Sequence, residues 1–210
     1  PLEYILGYTE FMGLPFLVRE GVLIPRQDTE ILVEMAVEVS NAKNVLDLCT
    51  GSGCIGLSIA VCGTPKSVTM SDISETAIET AKRNEKNLEK NGWRGKGAKP
   101  EITYKIGNLW EYIKGKFDLI VSNPPYVTGA EMQALPHSVK DFEPEMALYG
   151  GEDGLDFYRA IVENYTPALK KGGFVCFEFG MGQGDDVCRI LEENGYTILE
   201  RTRDYNDRER

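Results

Sequence analysis

From residue 28 onward, strand-like and helix-like patterns alternate along this chain, and that alternation limits the folds open to it. NVLDL (44–48), SVTMSDI (67–73), EITYKIG (101–107), FDLIVSN (117–123), GFVCFEF (173–179) and TILERTR (197–203) are short runs rich in β-branched or aromatic residues, as strands are. Between them lie segments of helical period. DTEILVEMAVEVSN (28–41) sets Ile31, Leu32, Met35 and Val39 on one face behind an Asp28 or Thr29 cap. GCIGLSIAVC (53–62), DGLDFYRAIVENYTPALKKGG (153–173) and GDDVCRILEENGY (184–196) also predict helices. SETAIETAKRNEKNLEKNG (74–92) opens on a Ser74 cap and closes on Asn91-Gly92, both common helix punctuation. Strands separated by helices run parallel and send those helices across the two faces of their sheet. The expected fold is α/β, a mostly parallel twisted sheet with helices on both faces, and 210 residues suit one such domain.

Two segments break the alternation. Residues 1–27 carry Gly7, Gly13, Pro15, Gly21 and Pro25 between short apolar runs, which predicts a small hairpin and a lid over one end of the sheet. The expected organisation is a lid segment, 1–27, and a main domain, 28–210. Residues 127–153 form a long connection, and loops of that length in compact domains usually carry function. KNGWRGKGAKP (90–100) reads as a basic, solvated connection. With 33 acidic against 23 basic residues, the net charge is −10. Polyanion binding draws its affinity from Lys and Arg on phosphates, so no direct nucleic-acid or membrane partner is expected. No apolar stretch approaches the roughly 20 residues that span a bilayer, and no charged-then-apolar leader is visible. The five cysteines include no Cys-x-x-Cys pair. Reduced thiols in a cytoplasmic protein, with no metal site, are the expectation.

VLDLCTGSGCIG (45–56) places Gly51, Gly53 and Gly56 after the first main strand and at the start of a helix, and Asp72 follows Gly51 by 21 positions at the end of the next strand. Glycines there let a ligand approach the backbone, and the acidic residue can bind ribose hydroxyls, so a nucleoside-containing cofactor is expected. The plainer alternative is a tight turn in which Asp72 only caps the next helix. Charge selects the cofactor. A dinucleotide's pyrophosphate would sit on the helix N-terminus, where the nearby Asp47 carboxylate opposes it. Asp47 suits a ligand bearing an ammonium and a sulfonium, which is S-adenosylmethionine. The lone histidine, His137, lies in a proline-flanked loop and reads as a surface residue.

The strand FDLIVS runs straight into Asn123-Pro124-Pro125-Tyr126. Two consecutive prolines remove two backbone donors and fix two φ angles, which stops the strand. Methyl transfer to a planar nitrogen requires its NH2 group to be held so that the lone pair faces the methyl. Two acceptors, one for each N–H, would do this. Asn123 offers a side-chain carbonyl, and Pro124 a backbone carbonyl whose direction Pro125 fixes. Tyr126 is expected to pack its ring against the planar acceptor group. Acceleration then comes from positioning, with no obligatory general base.

With these residues in view, LEYILGYTEFMGLPFLVREGVLIPRQDTEILVE, VLDLCTGSG, VSNPPYV, FEPEMALYGGEDGLDFYRAI and DYNDRER together resemble the HemK/PrmC protein-(glutamine-N5) methyltransferases over residues 2–208. NPPY is shared with adenine-N6 DNA methyltransferases; GVLIPRQDTE and EP-x-x-AL-x-GG-x-DGL are more specific to the family. The resemblance implies a Rossmann-like, class I methyltransferase fold. It implies S-adenosylmethionine as donor, S-adenosylhomocysteine as product and, as substrate, the glutamine of the Gly-Gly-Gln motif in peptide chain release factors. A sister branch modifies a glutamine of a large-subunit ribosomal protein. By position, Cys49, Thr50, Gly51, Ser52 and Gly53 form the cofactor turn, with Asp47 beneath it. Asp72 takes the ribose, Asn108 and Leu109 flank the adenine, and Asn123, Pro124, Pro125 and Tyr126 hold the glutamine amide. The chain departs from the family pattern at Cys49, where Gly is usual, at Gln27, where Pro is usual, and at Asn108, where Asp is frequent. The family also carries a helical domain before the position of residue 1 and a last antiparallel strand after that of Arg210. A monomer is expected. The competing functions are a DNA adenine-N6 methyltransferase, which would want basic surface and a recognition domain, and a non-catalytic subunit, which would have no use for Asn123.

Overall fold

A computed structural model describes residues 1–39, 41–92, 95–109, 115–205 and 207–209. Trp93 and Arg94, within the expected basic connection, lie outside the described residues. The chain opens with a short helix, α1 (Leu2–Leu6), then the expected hairpin of β1 (Tyr8–Phe11) and β2 (Leu14–Leu17). Met12 and Gly13 turn it in left-handed conformations, φ 54° and 68°, which match the twist of the flanking strands. Phe11 and Phe16 are fully buried and meet edge to face. A 3-10 turn, Gln27–Thr29, leads into α2 (Glu30–Val39). There follow β3 (Asn44–Leu48), α3 (Cys54–Cys62), β4 (Ser67–Asp72), α4 (Glu75–Lys90), β5 (Glu101–Ile106) and β6 (Phe117–Ser122). Two short helices, α5 (Gly129–Ala134) and α6 (His137–Lys140), occupy the long connection. The chain continues through α7 (Asp156–Tyr165), β7 (Leu169–Phe177) and α8 (Gly184–Glu193).

The main sheet runs in the order β5-β4-β3-β6-β7, every described pair parallel. The first of these strands in sequence, β3, lies in the middle. The chain lays β4 and β5 to one side of it, then crosses to lay β6 and β7 on the other. That reversal opens a crevice between the carboxyl ends of β3 and β6, the place where open α/β sheets bind ligands. Both faces are buried, which accounts for the continuous apolar runs of the central strands. Val45, Leu119 and Val121 pack with Val33, Leu57 and the hairpin's Phe11 and Phe16. Leu46, Leu48 and Ile120 face the other way, onto Ile161 and Tyr165 of α7.

Two expectations are corrected. The helix predicted over 153–173 stops at Tyr165, and a 3-10 turn (Thr166–Ala168) leads into β7 at Leu169. Pro167 breaks the helical hydrogen-bond pattern, and Leu169 pairs with Phe117 of β6, so sheet pairing claims the Leu169–Gly173 stretch. The strand predicted at 197–203 does not form. Tyr196, Ile198 and Thr202 are half-buried, but the segment lies across a cleft of about 820 Å³ from β7, and among the described residues its strand pairing is an isolated bridge, Arg203 to Glu209. Strand propensity without a neighbouring ladder does not make a strand.

Candidate active site

At the carboxyl end of β3 the backbone turns sharply through Cys49–Gly53. Thr50 N–H donates to Ser71 O at 3.0 Å and Gly53 N–H to Thr50 O at 2.8 Å. Gly53 has φ 80°, and a Cβ there would lie 2.9 Å from the Ala81 Cβ of α4, so only glycine lets that helix approach. Cys49 also has positive φ, 56°, a conformation that disfavours a side chain, at the position where the resemblance expects glycine.

Two carboxylates serve this turn. Asp47, fully buried, accepts from Thr50 Oγ1 at 2.5 Å and Gly56 N–H at 2.9 Å through Oδ2, while its Oδ1 is buried with no hydrogen-bond partner. Burial, opposed by those two bonds and reinforced by the nearby Asp72, pushes its pKa up to about 7. Asp72 closes β4. Its Oδ2 accepts from Gly51 N–H and its Oδ1 from Ser74 N–H, each at 2.9 Å. Burial raises its pKa, against the pull of those backbone bonds. Ser74 caps α4 as expected, accepting from Ala77 N–H at 3.2 Å.

At the end of β6, Ser122 Oγ donates to Leu48 O at 2.7 Å and ties the strand to β3. Asn123 follows, its Nδ2 donating to Thr29 Oγ1 at 3.2 Å. The residues after Tyr126 pair with the loop containing YGGEDG: Val127 N–H donates to Leu148 O at 2.8 Å and Gly150 N–H to Val127 O at 2.9 Å. A Cβ on Gly150 would come within 2.6 Å of Pro125 O, so this loop lies directly on the Pro-Pro-Tyr backbone. From the opposite side, Arg26 reaches across to the buried Glu143 at 2.6 Å and joins the segment before α2 to the long connection.

These elements enclose a cavity of about 760 Å³. Cys49, Thr50, Gly51, Ser52, Asp72, Asn108, Leu109, Asn123 and Pro125, all singled out in the sequence, are among the residues that line it. Asp47, Gly53 and Pro124 are not among the lining residues. Tyr126, not itself among the lining residues, packs against the cluster of Leu155, Tyr158, Phe179 and Val187; its hydroxyl approaches Glu178 Oε1 at 3.5 Å, and Gln183 Nε2 donates to its carbonyl at 2.9 Å. His137 is exposed and pairs with Asp141 outside the cavity lining.

The lining suits a cationic cofactor with a ribose diol. Asp72 retains acceptor capacity at the turn, and Asp47 lies beneath it as a buried carboxyl whose ionised form a bound cation would favour. The cavity's cations are already committed: Arg26 to Glu143, and Arg159 to Asp153 at 2.5 Å and Asp156 at 3.2 Å. A pyrophosphate would meet carboxylates there; a sulfonium and an ammonium would be welcomed.

Three contributors escaped sequence reasoning. Thr29 was legible only as a helix cap. Asn84, in the middle of α4, carried no signal. Gln183, which holds the Tyr126 carbonyl, looked like loop.

A sheet wound in this order, with a glycine turn at the end of its middle strand, is the fold of the class I methyltransferases. The chain is similar in fold to a methyltransferase from Pyrococcus furiosus, with a TM-score of 0.64 at 18% identity over 94% of this chain and 87% of that one. Residues 26–140 match the family described as Methyltransferase small domain. The sequence is 45% identical to the release factor glutamine methyltransferase of Clostridium acetobutylicum over 98% of this chain and 71% of that protein. It is 42% identical to the enzyme of that name from Fusobacterium nucleatum, over 100% of this chain and 58% of that protein. The chain belongs to the release factor glutamine methyltransferase family.

Proposed function

We propose that the chain transfers a methyl group from S-adenosylmethionine to the side-chain amide nitrogen of the glutamine in the Gly-Gly-Gln motif of peptide chain release factors. The observation that carries this reading is the placement of Asn123. It lines the same cavity as the glycine turn, with its own amide N–H engaged by Thr29 and its carbonyl oxygen left as the group to meet a donor. In this reading Asp72 accepts from the ribose hydroxyls, Asn108 and Leu109 flank the adenine, and Cys49–Gly53 bring backbone against the amino-acid end. The cofactor, when bound, supplies an electrophilic methyl on a positively charged sulfur. The chain's residues do the rest by position. Asn123 Oδ1 and the Pro124 carbonyl each accept one N–H of the target amide, which turns its nitrogen lone pair toward the methyl. As the N–C bond forms and the S–C bond breaks, the surplus amide proton leaves to solvent. Tyr126 supports this slot from behind. Residues 1–27 form one lip of the cleft in this reading, and the rest of the chain the catalytic body, acting as a cytoplasmic monomer.

An adenine amino group is also a planar NH2, so the acceptor pair cannot choose the substrate alone. Flipping a base demands a grip on phosphates, and a net charge of −10 is poorly made for that. A labelled-methyl assay decides. We expect label from S-adenosylmethionine in the release factor, lost when its Gly-Gly-Gln glutamine is replaced by alanine, and none in duplex DNA. Label in DNA with none in the release factor, or in a large-subunit ribosomal protein alone, overturns the assignment.

A further inference from the structure

The side chain of Asn123 has two chemically opposite ends on nearly the same shape. Oδ1 accepts; Nδ2 only donates. If the amide turns over about χ2, it presents N–H groups to the N–H groups of the target, and the slot repels the group it should hold. The backbone there has little freedom: Ser122 is tied to Leu48 by its hydroxyl, and Pro124 and Pro125 follow with fixed φ. Rotation of the amide is the freedom that remains.

Thr29 faces that freedom. Its Oγ1 accepts from Asn123 Nδ2 at 3.2 Å, and the residue is only 3% exposed, so water competes poorly for the bond. Thr29 is itself held. Its N–H donates to Arg26 O at 3.1 Å, and the Arg26 guanidinium is anchored on Glu143 across the cleft. The hydroxyl is thus presented by a segment 94 residues away in sequence that has been fastened in place. We propose that Thr29 is a positioning residue for methyl transfer: by accepting from Asn123 Nδ2 it selects the amide orientation in which Oδ1 faces the target nitrogen. This rests on the reading of Asn123 as an acceptor for the substrate amide. It gives the Thr in the IPRQDTE segment a role other than the helix cap that the sequence suggested.

The test uses Thr29→Val, which keeps the shape and removes the hydroxyl, with Thr29→Ala as a second variant that needs no extra room. In steady-state transfer to the release factor, both should lower kcat about three- to tenfold, the worth of one ordinary hydrogen bond. The Kd for S-adenosylmethionine, which also reports folding, and the KM for the release factor should stay within about twofold. Thr29→Ser restores the hydroxyl and should recover most of the lost kcat. Full activity of either hydroxyl-less variant, or equal loss in Ser and Val, overturns the proposal, since equal loss would mean that the site responds to any change of side chain and not to the hydroxyl in particular. Asn123→Ala in the same assay separates the two claims. If it is inactive while Thr29→Val is fully active, only the positioning role falls; if it is fully active, the acceptor reading falls with it.

Discussion

Asp47 and Asp72 both serve the glycine turn, yet their surroundings set them different tasks. Asp72 keeps acceptor capacity at the cavity wall. Asp47 is sealed beneath, with two donors to one oxygen and none to the other. A buried carboxylate this poorly compensated costs stability when ionised. Its pKa rises from 3.8 to about 7, so between roughly pH 4 and pH 7 the folded protein keeps a proton that the unfolded chain has released. The unfolded state binds fewer protons in that window, and this group's contribution to stability falls as pH rises. Asp47→Asn cannot ionise. The melting temperature of Asp47→Asn relative to the parent should therefore climb from pH 4 to pH 8 in thermal scans of the apo proteins. A difference that stays constant across that range would mean that Asp47 titrates with its ordinary value.

At the scale of elements, the hairpin is more than a flap on the sheet. Asn84, fully buried on α4, treats β2 as a strand would: its Oδ1 accepts from Leu17 N–H at 2.6 Å and its Nδ2 donates to Leu17 O at 3.0 Å. The same Nδ2 donates to Ser52 O, at 2.8 Å, inside the glycine turn. Asn87 repeats the gesture with Pro15 O at 2.9 Å. One side chain therefore links hairpin, helix and turn. Asn84→Ala would leave three backbone groups on two segments, the hairpin and the glycine turn, without partners, a loss of about 2–4 kcal/mol. Urea unfolding should show that loss, and calorimetry should show weaker S-adenosylmethionine binding because Ser52 is freed. A stability loss with unchanged cofactor affinity would confine Asn84 to holding the hairpin.

At the scale of the whole molecule, stability is graded from the sheet's centre to its β7 side. β3 and β6 are each paired on both edges and buried on both faces. Thr197–Thr202 is half-buried at Ile198 and Thr202 but has no ladder. Hydrogen exchange should follow that gradient, with amides of β3 and β6 the slowest and those of 197–202 among the fastest. Protection at 197–202 equal to that of β6 would mean that the segment pairs in solution.

Whatever depended on local chemistry was legible in the sequence. Alternating apolar and amphipathic runs set β3, α3, β4, α4, β5 and β6 nearly to the residue, because periodicity and capping are properties of neighbours along the chain. The glycine turn, Asp72, and the stop imposed by Pro124 and Pro125 were legible for the same reason: each is a backbone constraint written in adjacent residues. Tertiary structure decided what required a partner from far away. The apolar neighbours of Tyr126, among them Leu155, Phe179 and Val187, are assembled only by folding. Leu169–Gly173 became strand because β6 lay beside it, and Thr197–Arg203 did not because no ladder did. Thr29 and Asn84 meet Asn123 and Leu17 across 94 and 67 residues. A hydrogen bond is selected by distance in space, and the sequence records only distance along the chain.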